Sequence, residues 1–440
     1  MLLYNANIFT NDERQPFIED GAIVVNGNEI TAVGKRQDLE TAYPQEEKID
    51  LGGKLVLPGL INCHTHIYSA YARGMAVSKP TRNFIEVLEN LWWALDKKLT
   101  VEDAKLCAYQ TMIESIRNGV TCLFDHHAAP NGVEGSLDAI AEVALELGMR
   151  ADLCYELTDR DGERVRDLGL AENRHFIERC KRENNDYLRA HFGLHASFTL
   201  SDESMAKAAD IVHELDAAVH CHCAEGLDDQ LFCVRQHDCR VIERLERFGL
   251  MSDHALVVHL CHCAARELDI IKKHDSIALH NPGSNMNNAV GRTPLEGLLE
   301  REILTGLGTD AYTHDMYESM KTGKVLYAHD RCQTGEGFGQ MLKLQFENNP
   351  KIAARFWDKP MGRIQAGAYA DLCAYEYLPF TPLNANSIGG HILFGLSGKL
   401  CTDNMINGKF VMRNREILGC DEARVAARSR ERAAEIWPLM

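Results

Sequence analysis

Histidines and acidic residues close several short apolar runs of this chain, and their spacing suits a metal centre. His64-Thr65-His66 ends the run PGLINC, and His220-Cys221-His222-Cys223-Ala224-Glu225 ends another. His195, His259, His280 and the trio Gly308-Thr309-Asp310 each end one more. Alternate residues on a strand share a face, so both imidazoles of His64-Thr65-His66 can point the same way. A histidine met alone is usually an ordinary core or surface residue. Six strand ends that each offer His or Asp reverse that expectation. Imidazole and carboxylate together suit a divalent ion: zinc is the expected one, and iron and manganese share its ligand types. Three imidazoles and one carboxylate leave a place for water, whose pKa such an ion lowers toward ~7. That chemistry is hydrolysis.

Two Cys-His-Cys triplets, Cys221/Cys223 and Cys261/Cys263, raise the question of a second zinc site. If His220 and His222 face inward, Cys221 and Cys223 face outward, where a free thiol packs as a small hydrophobe. No pair is spaced C-x-x-C. We expect buried thiols there.

Residues of this kind need a scaffold that brings strand ends together. The apolar runs end at 62–66, 121–127, 151–158, 189–198, 217–225, 255–262, 276–281 and 305–311, separated by helical stretches. One such stretch begins at Thr100 as cap and stops at Gly119; another is capped by Ser201. Eight strands, each followed by a helix, predict a (β/α)₈ TIM barrel, with function at the C-terminal strand ends. The first 57 residues read instead as short strands, with an Asn-Gly turn at 26–27, and the far end echoes them with a second at 407–408. We therefore expect an α/β chain in four parts. Residues 1–57 and 350–420 form one small β-sandwich from both termini, 58–349 the barrel, and 421–440 a final helix starting at Asp421.

At 440 residues the chain is too long for one ordinary domain of ~150 and suits a barrel with an added module. Hydrophobic residues make up 45% and charged ones 25%, which excludes a disordered chain. Lys and Arg number 47 against 64 Asp and Glu, a net charge of −17 that repels nucleic acid and anionic membranes. The 15 cysteines lack a disulfide framework, the opening lacks a secretory signal, and no apolar run approaches ~18 residues. The expectation is a cytoplasmic protein with a small-molecule substrate.

The stretches PGLINCHTH (58–66), HCAE (222–225), VVHLCH (257–262), HNPGSNMNNAVG (280–291) and GLGTDAY (306–312) resemble the amidohydrolase superfamily. Within it they resemble the cytosine/guanine deaminase and chlorohydrolase branch. Narrower stretches, NFIEVLENLWWALDKKL (83–99), FDHHAAP (124–130), ELTDRDG (156–162) and SNMNNAVG (284–291), resemble SsnA-type aminohydrolases linked to selenium metabolism. The resemblance spans essentially the whole chain. It implies that His64, His66, His222 and Asp310 hold one ion, that Glu225 shuttles protons, and that His259 hydrogen-bonds the attacking water. It places His195 near the substrate, with His280 and Asn285 beside it. Binuclear relatives bridge two ions with a carboxylated Lys ending strand four; RAHFGLHASF has none, which favours one ion per chain.

The implied reaction is hydrolysis of a non-peptide C–N bond, releasing an amine from a nitrogen heterocycle, by a homodimeric enzyme. Two alternatives stand beside it: a chloride or amide leaving group at the same centre, or a non-catalytic metal-binding accessory protein in selenium metabolism. Relatives of known specificity grip their heterocycle with an acidic or Gln residue after strand one. ENLWWALDKK offers Trp92, Trp93 and Asp96 without a clear match, and a Trp pair in a helix is usually packing. Trp92, His126, Glu156 and Arg160 complete the candidate substrate contacts, with Asp125 and His127 also ending strand two.

Overall fold

A computed structural model describes residues 1–440. Eight parallel strands surround one axis: Leu60–Thr65, Val120–His127, Arg150–Tyr155, a fourth broken at His191 into Leu188–Ala190 and Phe192–Ala196, then Val219–Cys223, Leu256–His259, Ile277–His280 and Thr305–Leu307. They pair in two runs. Backbone bonds join the runs on both sides. His195 N–H donates to Leu157 O at 2.9 Å between the third and fourth strands, and Asp310 N–H to His64 O at 2.9 Å between the eighth and the first. The TIM barrel expected from the alternating pattern is the fold.

Helix signals lie where the residue types place them. Thr100 caps Val101–Arg117, accepting from Asp103 N–H while the Asp103 carboxylate accepts from Thr100 N–H at 2.8 Å. Gly119 follows that helix at φ 81°, a conformation glycine takes without strain. Ser201 caps Asp202–Glu214, and Asp421 caps Glu422–Ile436. The last helix lies against Val101–Arg117, where Arg432 grips Asp103 at 2.6 and 3.0 Å. No helix is long and apolar enough to cross a membrane.

Both termini enter a single nine-stranded sheet. Its centre is the antiparallel pairing of Leu55–Pro58 with Leu372–Tyr375. Outward from there, one side is built from Leu2–Phe9, Lys48–Asp50, Phe17–Asn26 and Glu29–Lys35, the other from Cys401–Ile406, Lys409–Arg413 and Glu416–Ile417. Both Asn-Gly turns form hairpins, with Asn407 and Gly408 at φ 53° and 73°. Lys54 meets Asp403 across this sheet at 2.6 Å. Residues 349–353 are a helix whose Ile352 packs with Trp357 and Met361 beneath the barrel. The C-terminal share of the sheet thus starts at Leu372. Arg150, fully buried at the start of the third barrel strand, binds Asp371 at 2.9 Å and Asn407 at 2.8 Å, joining barrel to sheet.

The barrel interior has two halves. Its foot is apolar, packed from Ile61, Cys63, Cys122, Phe124, Leu256, Val258, Ile277 and Leu279. Its mouth carries the histidines.

Candidate metal centre and substrate cavity

Strict alternation would not gather these side chains. Ile61 and Cys63 belong to the apolar foot, so an unbroken first strand would turn His64 and His66 toward the helices. A register break between Asn62 and Thr65 against the second strand re-aims them inward. Ala224, His259, Leu260 and Asp310 sit at φ 50°, 71°, 59° and 57°. Non-glycine residues pay strain there, and such positions concentrate at working sites.

Four donor atoms converge. His66 Nε2 lies 3.2 Å from both His222 Nε2 and Asp310 Oδ1, and His64 Nε2 lies 4.0 Å from the same carboxylate oxygen. Zinc–ligand bonds of ~2.0–2.1 Å in a tetrahedron place ligand atoms roughly 3.3 Å apart, so these spacings bracket an ion. His64 Nε2 is fully buried with no hydrogen-bond partner, a costly state that a cation relieves. Burial pushes His64 and His222 well below the usual imidazole value, leaving their lone pairs free. Burial opposes charge on His66 too, but the Asp310 carboxylate overrides it and lifts that ring to about 9. An ion would take that proton's place.

Every one of these rings has its other nitrogen engaged. His64 Nδ1 meets His220 Nε2 at 2.9 Å, His66 Nδ1 donates to His126 O at 2.6 Å, and His222 Nδ1 to His195 O at 3.0 Å. Asp310 accepts from Ser284 Oγ at 2.7 Å and from Ala311 N–H at 2.6 Å. Such outer partners set the tautomer and orientation of a ligand. Overlapping sets of metal-competent atoms surround this point, reaching to His126, Glu156, His195, His259 and Glu225. Every set contains at least one of His64, His66, His222 and Asp310, and each of these three imidazoles has one nitrogen to give. The sets therefore describe one centre, and none includes a cysteine. Cys221 and Cys223 pack outside the barrel among Leu268, Cys233 and their neighbours.

Glu225 stands just off the four. Its Oε2 is 3.5 Å from His259 Nε2 and its Oε1 accepts from Asn288 Nδ2 at 3.2 Å. Burial raises its carboxyl above the usual range, and the Asp310 charge adds to the shift. His259 Nε2, buried without a hydrogen-bond partner, lies 3.5 Å from Asp310 Oδ2. A chain of bonds assigns its tautomer. Thr293 Oγ1 donates to His259 O at 2.7 Å, so it accepts from Asn285 Nδ2, which leaves Asn285 Oδ1 to accept from His259 Nδ1 at 2.8 Å. With Nδ1 as donor, the neutral form of the ring presents a lone pair at Nε2.

A cavity of about 280 Å³ opens above these groups. His66, His222, Asp310 and Glu225 face it from below, and Glu156 and His195 from one side. Phe84, Leu88, Leu91, Trp92 and Trp93 form an apolar wall. Trp92 thus belongs to the cavity as well as to helix packing, and Trp93 stands edge-on to His195 at 5.9 Å. Burial lowers His195 to about 4.

Several expected substrate contacts lie elsewhere. His280 bonds Thr293 Oγ1 at 2.9 Å, and Asn285 is the partner of His259; neither faces the cavity. His126 is wholly buried against the His222 ring at 4.5 Å, with Glu156 on Nδ1 and His220 O on Nε2, both acceptors. Arg160 is tied to Asp96 behind Trp93. Asp125 accepts from Ile67 N–H at 2.6 Å, shaping the turn after His66, and His127 points away toward Tyr68 and Tyr155. The sequence reading missed His220, Ser284, Asn288 and Thr293 as partners of the central groups. For His220 the signal was present: it lies two residues before His222 on the same strand face.

The profile of the amidohydrolase family matches residues 55–411. The chain is 28% identical over 426 residues to a 5′-deoxyadenosine deaminase of Methanopyrus kandleri, spanning 95% of this chain and 96% of that one. It is 28% identical over 432 residues to a 5-methylthioadenosine/S-adenosylhomocysteine deaminase of Bacillus cytotoxicus, spanning 97% of each. A solved adenosine deaminase from Xanthomonas campestris with bound zinc shares the fold at a TM-score of 0.86 and 22% identity, over 99% of this chain and 98% of that one. The chain is a hydrolytic enzyme and belongs to the amidohydrolase family.

Proposed function

We propose that this enzyme removes the amino group of a nitrogen heterocycle by hydrolysis, with an adenine-bearing nucleoside as substrate and one zinc ion per chain. The observation that carries the reading is Glu225: a carboxylate only 12% exposed that faces the cavity, beside the four convergent donors yet not one of them. A protein that merely stored metal would have no use for it. The two relatives named as deaminases of adenosine derivatives support the choice of substrate.

His64, His66, His222 and Asp310 hold the ion, which when bound supplies the Lewis acidity that makes water a nucleophile near neutral pH. His259 Nε2 accepts a hydrogen bond from the attacking water and orients it. Glu225 takes a proton from that water and passes it to the ring nitrogen next to the reacting carbon. Asp310 accepts the second proton and passes it to the amine, which leaves as ammonia. The apolar wall of Phe84, Leu88, Leu91 and Trp92 suits a flat ring and excludes water from it.

The test loads the purified protein with zinc and measures ammonia release from adenosine, 5′-deoxyadenosine, 5-methylthioadenosine, guanine and cytosine. Release from the adenine nucleosides at one zinc per chain is the expected result. A folded, zinc-loaded protein that frees ammonia from none of them would refute the reading. Chloride release from a chlorinated heterocycle would keep the centre and change the leaving group.

A further inference from the structure

Glu156 differs from the rest of the cavity wall because its two oxygens are turned to two different histidines. Oε2 accepts from His126 Nδ1 at 3.1 Å, and Oε1 lies 3.6 Å from His195 Nε2. The same two residues supply the main-chain carbonyls that receive Nδ1–H of His66, at 2.6 Å, and of His222, at 3.0 Å. One carboxylate therefore stands behind two convergent imidazoles that come from different strands. The remaining ring atoms are also fixed: His126 Nε2 donates to His220 O at 3.0 Å, and His195 Nδ1 meets Thr199 Oγ1 at 2.7 Å. The side chains of Glu156, His126 and His195 are 3%, 0% and 8% exposed, and His126 lies off the cavity, so water cannot stand in for the Glu156 partner that His126 would lose.

We propose that Glu156 is a positioning residue of the metal centre: by holding the His126 and His195 side chains it sets the two carbonyls that aim His66 and His222 at the ion. The proposal rests on the reading of His66 and His222 as ligands. Glu156 lines the cavity, but a role toward substrate alone would not account for the turn of its two oxygens to two different imidazoles. Removing a buried partner of this kind leaves the other group uncompensated, and the surrounding main chain must relax to satisfy it. That relaxation moves the carbonyls to which the ligand rings are tethered.

The test compares Glu156→Ala and Glu156→Gln in the full-length protein. Zinc retention in competition with a chelator should weaken by roughly 10–100-fold in the alanine variant, the range for lost outer partners of metal ligands. Glutamine keeps the shape and one acceptor, so its loss should be smaller but measurable. Cobalt(II) in place of zinc should show altered visible bands in both variants, a signature of ligand geometry that general destabilisation does not produce in folded protein. Wild-type zinc affinity and an unchanged cobalt spectrum, with only KM raised, would overturn the proposal and make Glu156 a substrate contact. Should Glu156→Ala fail to fold, the same two readouts on Glu156→Gln decide. A wild-type protein that takes up no metal would overturn the metal-centre reading, and this proposal with it.

Discussion

The foot and the mouth of the barrel are built from the same strands and solve opposite problems. At the foot Ile61, Phe124, Leu256, Val258, Ile277 and Leu279 pack above Ile352 and Trp357, an apolar cluster with few polar atoms to satisfy. A few residues further along, these strands carry His64, His126 and His259, joined by Asp310 after the eighth strand, and alternation fails at a register break and at residues of positive φ. Burying imidazoles and carboxylates there costs free energy that only a dense set of partners offsets. The difference teaches where each property resides. Regular packing at the foot supplies stability, and irregular backbone at the mouth supplies aim.

If that division holds, changes at the two ends should separate turnover from stability. The largest effect is expected from Glu225→Gln, which keeps shape and one acceptor but cannot carry a proton. Its kcat should fall by ~10³–10⁴, the upper range for general acid–base catalysis, with zinc content and melting temperature preserved. Near-normal kcat at full zinc occupancy would remove Glu225 from the shuttle role.

Phe124→Ala probes the other end. A buried aromatic lost from a tight core costs ~3–5 kcal/mol, so denaturant unfolding should shift by that much while folded enzyme keeps its zinc and its kcat. A tenfold drop in kcat for that variant would break the separation, since foot packing would then reach the site. Asn285→Ala sharpens the mouth side: it frees His259 Nδ1, and turnover should fall by roughly 10–100-fold with little change in stability, as for other outer partners. Unchanged turnover would mean that the ring needs no such anchor.

The smallest expected effect is a pH slope. Asp229 accepts from Ala224 N–H at 2.8 Å and Phe198 N–H at 3.0 Å, and burial raises it to about 7. The unfolded carboxyl titrates near ~3.9. The folded state thus holds the proton more tightly, so this group's stabilising contribution is complete below ~4, declines as pH rises to about 7 and is flat beyond. Asp229→Asn should remove about 1 kcal/mol per pH unit of decline between pH 5 and 7. Denaturation curves for both proteins at those two pH values check it; parallel slopes would show that Asp229 does not titrate there.

Much of this was legible in the residues. The eight strands, the capped helices at Thr100 and Ser201 and both Asn-Gly hairpins follow from local chemistry that acts within a few positions. So does the clustering of His and Asp at strand ends. What could not be read was orientation. Period-two alternation predicts opposite faces for adjacent residues, and it correctly separates His126 from His127. It says nothing of a slip between Asn62 and Thr65, nor of a left-handed residue at His259, because both arise from pairing with distant strands. His280 and Asn285 were placed at the substrate on motif position alone. Their bonds to Thr293 come from thirteen and eight residues on, and the bond of Asn285 to His259 from 26 residues back.

The sheet that unites the two ends has a consequence in time. Lys54 finds Asp403 only after 349 further positions have been made, and Leu55–Pro58 waits equally for Leu372–Tyr375. Synthesis at ~5–20 residues per second makes that wait roughly 20–70 s. During it the opening strands expose Ile8, Ile23, Val25 and Val56, half of a core whose other half does not yet exist. The nascent chain is thus most vulnerable to self-association at its beginning, long before any histidine reaches its place.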